Sequence, residues 1–413
     1  MTELQAQAGL KAGKRAGVAV ILGALAALAP FSLDMYLPAL PTLASDLQAS
    51  PAMAQISLTA CMLGLSFGQL AAGPLSDMHG RRRPLLVGLF LYIAVSVWCT
   101  LSGAIWSFIA LRFVQGLAGS FGVVISRAVA RDLFSGAELT RFFSLLMLVN
   151  GAGPIFAPIA GGQLLRVASW QGVFVALSLI AAILFVAVFT TLEETLPEKD
   201  RVKGGWKETI VTFRTLLRDR IFMGYALSQG FVLAAMFAYI SGSTFVIQDL
   251  FGASPQLFSI LFALNGVGLI IAGQVTGRLS GKISGYTLFV SGIMLATISS
   301  LALFGVLLSG GGLYAVLVPL FFVVSSVGVV TTTGFSLAMQ NYGQAAGSAS
   351  ALLGLISFVL GGLAAPLTGI GGGQSAIPMG TVIALSNIAA VICYLTLIRR
   401  NPASAISSKG EYK

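Results

Sequence analysis

Twelve apolar runs, each about 20 residues long, alternate with short polar segments along the chain, and a run of that length forms a helix that can cross a bilayer. The pattern predicts an all-α membrane protein with twelve transmembrane helices. Their boundaries carry an error of about three residues. The predicted spans are 16–38, 52–75, 84–102, 105–127, 142–165, 171–192, 221–244, 256–276, 286–308, 313–337, 347–370 and 377–398.

The longest polar segment, 193–220, divides the spans into two sets of six and is rich in charged residues. We therefore predict an N-terminal six-helix half at 1–192 and a cytoplasmic linker at 193–220. A C-terminal six-helix half with a short cytoplasmic tail follows at 221–413. Two sets of equal helix number suggest pseudo-symmetric halves, a plan that transporters use.

The charge pattern predicts the orientation in the membrane. Only 9% of the residues are charged, against about 25% in soluble domains. All but two of the 24 Lys and Arg residues fall in segments on one side of the twelve spans. Basic loops favour the cytoplasmic side, so we expect both termini in the cytoplasm. The net charge of +10 then reflects loops that face anionic lipid rather than a nucleic-acid partner.

Two charged residues lie in the interior of the apolar spans, Asp34 in the first and Arg112 in the fourth. A charge in the bilayer core is costly and usually serves a function. At a rise of about 1.5 Å per residue, we place Asp34 roughly 6–9 Å and Arg112 roughly 10 Å from the outer ends of their spans. The two side chains are therefore expected near the same level of the membrane.

The polar segment after the second span reads Gly-Pro-Leu-Ser-Asp-Met-His-Gly-Arg-Arg-Arg-Pro, from Gly73 to Pro84. Gly73 and Gly80 permit a tight turn between two helices, and Asp77 can cap a helix start or pair with a cytoplasmic arginine. An ordinary basic loop is the alternative interpretation, but the detailed order of residues disfavours it.

This segment resembles motif A of the major facilitator superfamily, except that Met78 stands where the family usually has a basic residue. The stretch from Arg112 to Gly116 is similar to the R-x-x-Q-G motif of the same family. The resemblance implies the major facilitator fold and a conformational latch between the two halves. The implied latch residues are Gly73, Asp77, Gly80, Arg81, Arg127 and Arg131. In the resemblance, Asp77 would latch the outward-open state, with Arg127 or Arg131 as its partner.

The fifth span resembles motif C of the drug/proton antiporters of this family. The residues that carry this resemblance are Asn150, Gly151, Gly153, Pro154, Pro158, Gly161 and Gly162. Proline bends a membrane helix, and glycine permits close packing against the other half. A generic glycine-rich membrane helix remains the alternative.

Segments 34–41, 127–134 and 262–265 resemble the Bcr/CflA drug-resistance transporters. The resemblance implies a multidrug exporter of the bacterial inner membrane, with bicyclomycin, sulfonamides and phenicols as candidate substrates.

We predict that Asp34 and Arg112 couple transport to protons. Arg112 favours the ionised form of Asp34, whereas burial favours the protonated form. Proton entry from outside and release inside would drive the drug outward. A structural ion pair, or an Asp34 that caps the end of its span, is the alternative. Residues predicted to line the substrate cavity are Tyr36, Gln115, Asn150, Met236, Phe237, Tyr239, Asn265 and Thr332.

Other functions fit the sequence less well. An exporter of an endogenous metabolite, such as an amino acid or sugar, is the main alternative, but carriers of polar solutes usually need more cavity charges. An enzyme is disfavoured because His79 is the only histidine and no cluster of catalytic residues lies in the spans. We expect no metal and no cofactor, no nucleic-acid partner and a monomer in the lipid bilayer that binds small-molecule drugs and protons.

Overall fold

The computed structural model describes residues 12–134, 152–201, 213–280, 282–340, 342, 346–370 and 375–399, and over these residues the regular structure is helical. We number the α-helices as follows: α1 (Ala12–Asp34), α2 (Leu40–Asp46), α3 (Pro51–His79), α4 (Arg82–Leu101), α5 (Ile105–Leu133), α6 (152–164), α7 (Trp170–Thr191), α8 (213–218), α9 (Arg220–Phe245), α10 (Pro255–Leu279), α11 (Gly285–Leu308), α12 (Leu313–Met339), α13 (Ala346–Leu367) and α14 (Ile377–Cys393).

The predicted membrane fold is confirmed. Eleven helical segments among the described residues are long and apolar enough to cross a membrane. The remaining predicted span, 142–165, is described only from residue 152, where α6 is helical to residue 164. Asn150 and Gly151, which we predicted as functional residues, therefore lie outside the described part of the chain.

Several spans are longer than the apolar pattern predicted. The first continues from α1 through a short 3₁₀ turn, Leu37–Ala39, into α2 and ends at Asp46 rather than at residue 38. The helices α3 and α5 extend four and six residues past their predicted ends at 75 and 127. Helical hydrogen bonding does not need an apolar surface, so a helix can run on through polar residues after it leaves the hydrocarbon.

Glycines bring pairs of helices into close contact in both halves of the chain. A Cβ on Gly116 of α5 would lie 2.1 Å from the Cys61 carbonyl oxygen of α3. A Cβ on Gly328 of α12 would lie 2.3 Å from the Leu269 carbonyl oxygen of α10. These pairs are the second and fourth spans of each set of six, so the same small-residue packing occurs at equivalent places.

The two ends of the helices differ in charge. The turn between α3 and α4, the end of α5 and the ends of α10 and α14 carry arginines, and we call this the basic side. The other end, where α3, α5 and α10 begin, we call the opposite side. Hydrogen bonds found between the two halves, among the described residues, all lie near the opposite side. They are Gln55 to Ser241, Thr59 to Gly362, Gln256 to Gly162 and Thr368 to Gln55.

Candidate functional site

Asp34 is the last residue of α1, at the break within the first span. Its side chain is buried, with 6% exposed. Asp34 stands twelve residues before the end of the span at Asp46, which corresponds to about 18 Å of helix. The sequence estimate of roughly 6–9 Å was counted to the predicted end of the apolar run near residue 38, whereas the helical segment continues to Asp46. Broken helices in transporters commonly mark the binding site for substrates and coupling ions.

Arg112 of α5 is fully buried and supplies a hydrogen bond that the break in α1 leaves missing. The final main-chain bond at the end of α1 runs from the Met35 N–H to the Phe31 carbonyl oxygen, at 3.1 Å. The next carbonyl oxygen, that of Ser32, accepts from Nη2 of Arg112 at 2.7 Å. An unpaired carbonyl in a membrane core costs several kcal/mol. Arg112 thus acts as a cap for the broken helix.

Aromatic rings enclose the Arg112 guanidinium. Its carbon lies 4.3 Å from the ring centre of Tyr36 and 5.5 Å from that of Phe174. Phe108 and Trp170 extend this aromatic cluster, with edge-to-face contacts of 5.3 Å and 6.1 Å to Phe174. A desolvated cation over an aromatic face is stabilised by about 2 kcal/mol. Arg112 is therefore stabilised without a carboxylate.

A network of neutral polar groups completes the surroundings of Arg112. The guanidinium donates to the Gln115 side-chain oxygen, and the Gln115 amide donates to the Ser96 hydroxyl at 2.7 Å. The Ser32 hydroxyl bonds to Tyr92 of α4, and the Tyr36 hydroxyl to Ser57 of α3 at 3.2 Å. Tyr36 and Gln115, both predicted to line the substrate cavity, are fully buried in this network.

Asp34 and Arg112 do not form an ion pair, so the alternative of a structural ion pair is not seen in this structure. Asp34 has no hydrogen bond and no ion pair within the described part of the chain. Arg112 instead reaches the main-chain carbonyl oxygen of Ser32, two positions before Asp34.

The second half of the chain contributes neutral groups to the interior. The Asn265 amide donates to the Tyr239 hydroxyl at 2.9 Å, and both residues are buried. Asn265 also lines a cavity of about 230 Å³ between α10 and α12 with six apolar side chains. Of the other predicted cavity residues, Met236 and Phe237 are half-buried, and Thr332 is exposed with its hydroxyl bonded to Gly328 of its own helix.

The predicted latch residues on the basic side bond within the first half of the chain. Arg81 forms ion pairs with Asp77 and, at 3.0 Å, with Asp132 at the end of α5. Burial alone would lower the pKa of Arg81, but the hydrogen bonds and charges of Asp77 and Asp132 raise it above its ordinary value. Arg127 and Arg131, the expected partners of Asp77, form no ion pair with it here, and Gly73 packs loosely on Val124.

Sequence reasoning missed Glu194, which follows α7. Its carboxylate accepts from the main-chain N–H groups of Arg81 and Arg82 at 2.7 Å and 3.2 Å, so it caps the start of α4. Gly80 adopts a φ of +85°, and a Cβ there would lie 2.4 Å from the Glu194 carboxylate. The glycine is therefore needed for both the turn and the contact. A carboxylate more than a hundred residues from its partner gives no local signal in the sequence.

The glycines of the fifth span contact both halves. A Cβ on Gly161 would lie 1.8 Å from the Met35 carbonyl oxygen, beside the break in α1, and one on Gly153 would lie 2.7 Å from Pro30. Gly162 approaches Ser259 of α10 in the second half, and its carbonyl oxygen accepts from Gln256 at 2.9 Å. Pro154 and Pro158 lie in the same helix, α6. The predicted close packing of this helix against the other half is thus present at Gly162.

Comparison with known proteins agrees with this geometry. A family model described as Major Facilitator Superfamily matches residues 22–366. The Uncharacterized MFS-type transporter YdgK of Bacillus subtilis (strain 168) is 42% identical over 388 residues, which cover 94% of this chain and 96% of that protein. The Bicyclomycin resistance protein homolog of Haemophilus influenzae is 30% identical over 380 residues, covering 92% and 96%.

A solved structure has the same fold at low sequence identity. The bacterial homolog of the human lysosomal transporter Spinster, in an inward-facing and occupied conformation, superposes with a TM-score of 0.75 at 15% identity, covering 96% of this chain and 99% of that one. Family model, relatives and fold agree, and multidrug transporters recur among the relatives. The chain therefore belongs to the major facilitator superfamily of membrane transporters, in its drug/proton antiporter branch.

Proposed function

We propose that this transporter exports lipophilic drugs in exchange for protons, by alternating access across a bacterial inner membrane. The observation that carries the proposal is Asp34, a carboxylate buried at a helix break with no cation paired to it among the described residues. The basic side faces the cytoplasm in this proposal, in keeping with the distribution of Lys and Arg.

The unpaired burial of Asp34 supports a role in proton transfer. An ionised carboxylate without a partner is costly in an apolar interior, so the closed site favours the protonated form. Access to water lowers that cost and allows the proton to leave. The carboxylate can thus take up a proton when open to one side and release it when open to the other.

Arg112 supports this role as a positioning residue. It bonds to the Ser32 carbonyl oxygen and stacks on the Tyr36 ring, so it contacts the first span on both sides of Asp34. Two of its guanidinium nitrogens bond to neutral oxygen atoms, of Gln115 and Ser32, and its third nitrogen, Nε, has no partner among the described residues. The competition between Arg112 and the proton for Asp34 stays a prediction for conformations in which the two side chains approach each other.

The interior favours lipophilic cargo. The half-buried Met236 and Phe237, together with Phe358, which lies 5.7 Å from Phe237, provide an apolar surface in the second half. Apolar walls with a few polar groups suit ligands of varied shape. The names of the relatives, one of which is a bicyclomycin resistance homolog, support the same class of substrate.

Efflux from energised cells tests the proposal. The panel is a phenicol, a sulfonamide, bicyclomycin and ethidium, compared between the wild type and Asp34→Asn. We expect export that a protonophore abolishes and that the variant lacks at equal expression. Uphill export at full rate by Asp34→Asn would exclude this carboxylate as the coupling site. If the wild type exports none of the panel, an exporter of an endogenous metabolite becomes the better explanation.

A further inference from the structure

Gln55 lies in the second turn of α3, near the opposite side, where it contacts the other half of the chain. Its side chain is 1% exposed. The amide nitrogen donates to the Ser241 carbonyl oxygen of α9 at 3.3 Å, and the amide oxygen accepts from the Thr368 hydroxyl, just after α13, at 3.2 Å. One side chain therefore joins a helix of the first half to two segments of the second.

A second bond lies one turn further along α3. The Thr59 hydroxyl donates to the Gly362 carbonyl oxygen of α13 at 3.0 Å. Gln55 and Thr59 are four residues apart and share a helix face. The two bonds thus form a continuous seam between α3 and α13.

Glycines of the second half allow this close approach. A Cβ on Gly369 would lie 2.7 Å from the Ala52 main chain and 2.6 Å from the Gln55 amide oxygen. A Cβ on Gly362 would lie 3.1 Å from Thr59. The segments meet here at a distance that a larger residue would not permit.

The basic side has contacts of a different kind. Asp77 and Arg81 pair within the first half. Asp219, at the start of α9, accepts from the Tyr342 hydroxyl within the second half. These strong polar contacts hold each half together and do not cross between the halves. The structure is therefore closed on the opposite side by hydrogen bonds that the transporter must break to open there.

We infer that Gln55 is the hydrogen-bonding centre of a gate on the opposite side, and that its bonds to Ser241 and Thr368 set how readily that side opens. We call the gate residues Gln55, Thr59, Gly362, Thr368 and Gly369 the outer gate. Both Gln55 bonds are between neutral groups, each of which contributes modestly. The gate can therefore hold the closed state and still open in every transport cycle. This inference does not depend on which cargo is carried.

The variant Gln55→Leu removes both bonds without a severe cost to folding. The Thr368 hydroxyl has one proton, which it shares between the Gln55 amide oxygen at 3.2 Å and the Ala365 carbonyl oxygen at 2.8 Å, and in the variant it donates to Ala365 alone. Leucine fills much of the same volume in an apolar surrounding. Gln69→Leu is the matched control, because Gln69 lies on the same helix and forms no hydrogen bond with any described residue. Thr59→Val removes the second bond with little change in shape.

Distances between spin labels report the opening of each side. In a variant with Cys61, Cys99 and Cys393 replaced by alanine, labels at Gly103→Cys and Ser309→Cys report on the opposite side. Both positions are exposed, and a Cβ on Gly103 meets nothing within 4 Å. Labels at the exposed Arg83→Cys and Ser280→Cys report on the basic side.

We expect Gln55→Leu to raise the ratio of long to short distances between the Gly103 and Ser309 labels by about tenfold. The distance on the basic side should shorten in the same sample, and Thr59→Val should give a smaller shift in the same directions. Gln69→Leu should match the parent protein on both sides. Unchanged label-to-label distances in Gln55→Leu, or equal shifts in Gln69→Leu, would contradict the proposed gate. Shifts on one side only would mean local loosening and would also overturn it.

Discussion

The two halves of the transporter pack their helices in the same way but differ in their buried polar groups. In the first half, Arg112 crosses from α5 to cap the broken α1 beside Asp34. In the second half, the buried polar pair is neutral, an amide of Asn265 bonded to the Tyr239 hydroxyl. The glycine contacts between the second and fourth spans are nevertheless alike in both.

The comparison separates scaffold from mechanism. The repeated glycine contact gives the two halves similar helix packing. Two buried charged residues, Asp34 and Arg112, occur only in the first half and give it a different interior. Proton chemistry is therefore expected in the first half and ligand contacts with apolar and neutral groups in the second. Four predictions follow from this division, from the largest expected effect to the smallest.

The equivalent glycine contacts predict that the same substitution lowers the stability of both halves equally. Gly116→Ala and Gly328→Ala each place a Cβ against a main-chain carbonyl of the neighbouring helix. We expect each to lower the free energy of unfolding by about 3 kcal/mol or more, because the backbones must separate. Folded yield and thermal unfolding in detergent measure the loss. Gly354→Ala is the control, since a Cβ there meets nothing within 4 Å. A large effect in one half alone would show that the packing is not equivalent.

The buried charge of Arg112 in the first half predicts a loss of both stability and coupled transport when it is removed. Arg112→Met leaves the Ser32 carbonyl without its donor and removes the stacked cation from Tyr36. We expect a loss of about 2–4 kcal/mol in the free energy of unfolding and no coupled transport. Arg112→Lys keeps the charge but cannot bond Ser32 and Gln115 with one planar group, so an intermediate loss is expected. A fully stable Arg112→Met would contradict the capping role.

The neutral pair of the second half predicts a smaller effect. Tyr239→Phe removes the hydroxyl that accepts from Asn265 and keeps the ring, which stacks 5.5 Å from Phe262. We expect a loss of about 1 kcal/mol in stability and at most a few-fold change in export, with the dependence on pH unchanged. Drug efflux measured at several external pH values checks this. An altered pH dependence would place proton chemistry in the second half as well.

The cap on the basic side predicts the smallest effect. Glu194→Gln weakens the charge-assisted bonds to the N–H groups of Arg81 and Arg82, for a loss of about 1 kcal/mol. The neighbouring Glu193 is exposed, so Glu193→Gln should change nothing. Thermal unfolding of the two variants measures the difference. Equal stability of the two variants would mean that Glu194 is not a cap.

The sequence predicted the membrane fold and the two buried charges, because long apolar runs and rare charges are local signals. It could not predict where those charges point. The break after Asp34 lies inside an apolar run, so the pattern placed the end of the span at residue 38 rather than at Asp46. Asp34 is the one acid within the apolar spans, so the sequence suggests it as the partner of Arg112. In the structure, Arg112 instead bonds to the Ser32 carbonyl oxygen and lies over the Tyr36 ring.

Contacts between distant segments were the hardest to predict. Glu194 meets Arg81, and Gln55 meets Thr368, across separations that carry no periodic signal. The roles of Gly80 and Gly162 were easier to anticipate, because glycine at a turn or a helix contact has a direct steric meaning. The prediction that Asp77 pairs with Arg127 or Arg131 concerns another conformation, and here Asp77 pairs with Arg81.

Proton release on substrate binding is the most direct test of the central claim that Asp34 couples transport to protons. The purified transporter in weakly buffered detergent with a pH indicator receives a drug that the wild type exports. We predict release of about one proton per bound drug in the wild type and none in Asp34→Asn. Asp249→Asn, at an exposed acid of the second half, should release as the wild type does. Equal release from Asp34→Asn that still binds the drug would contradict the account.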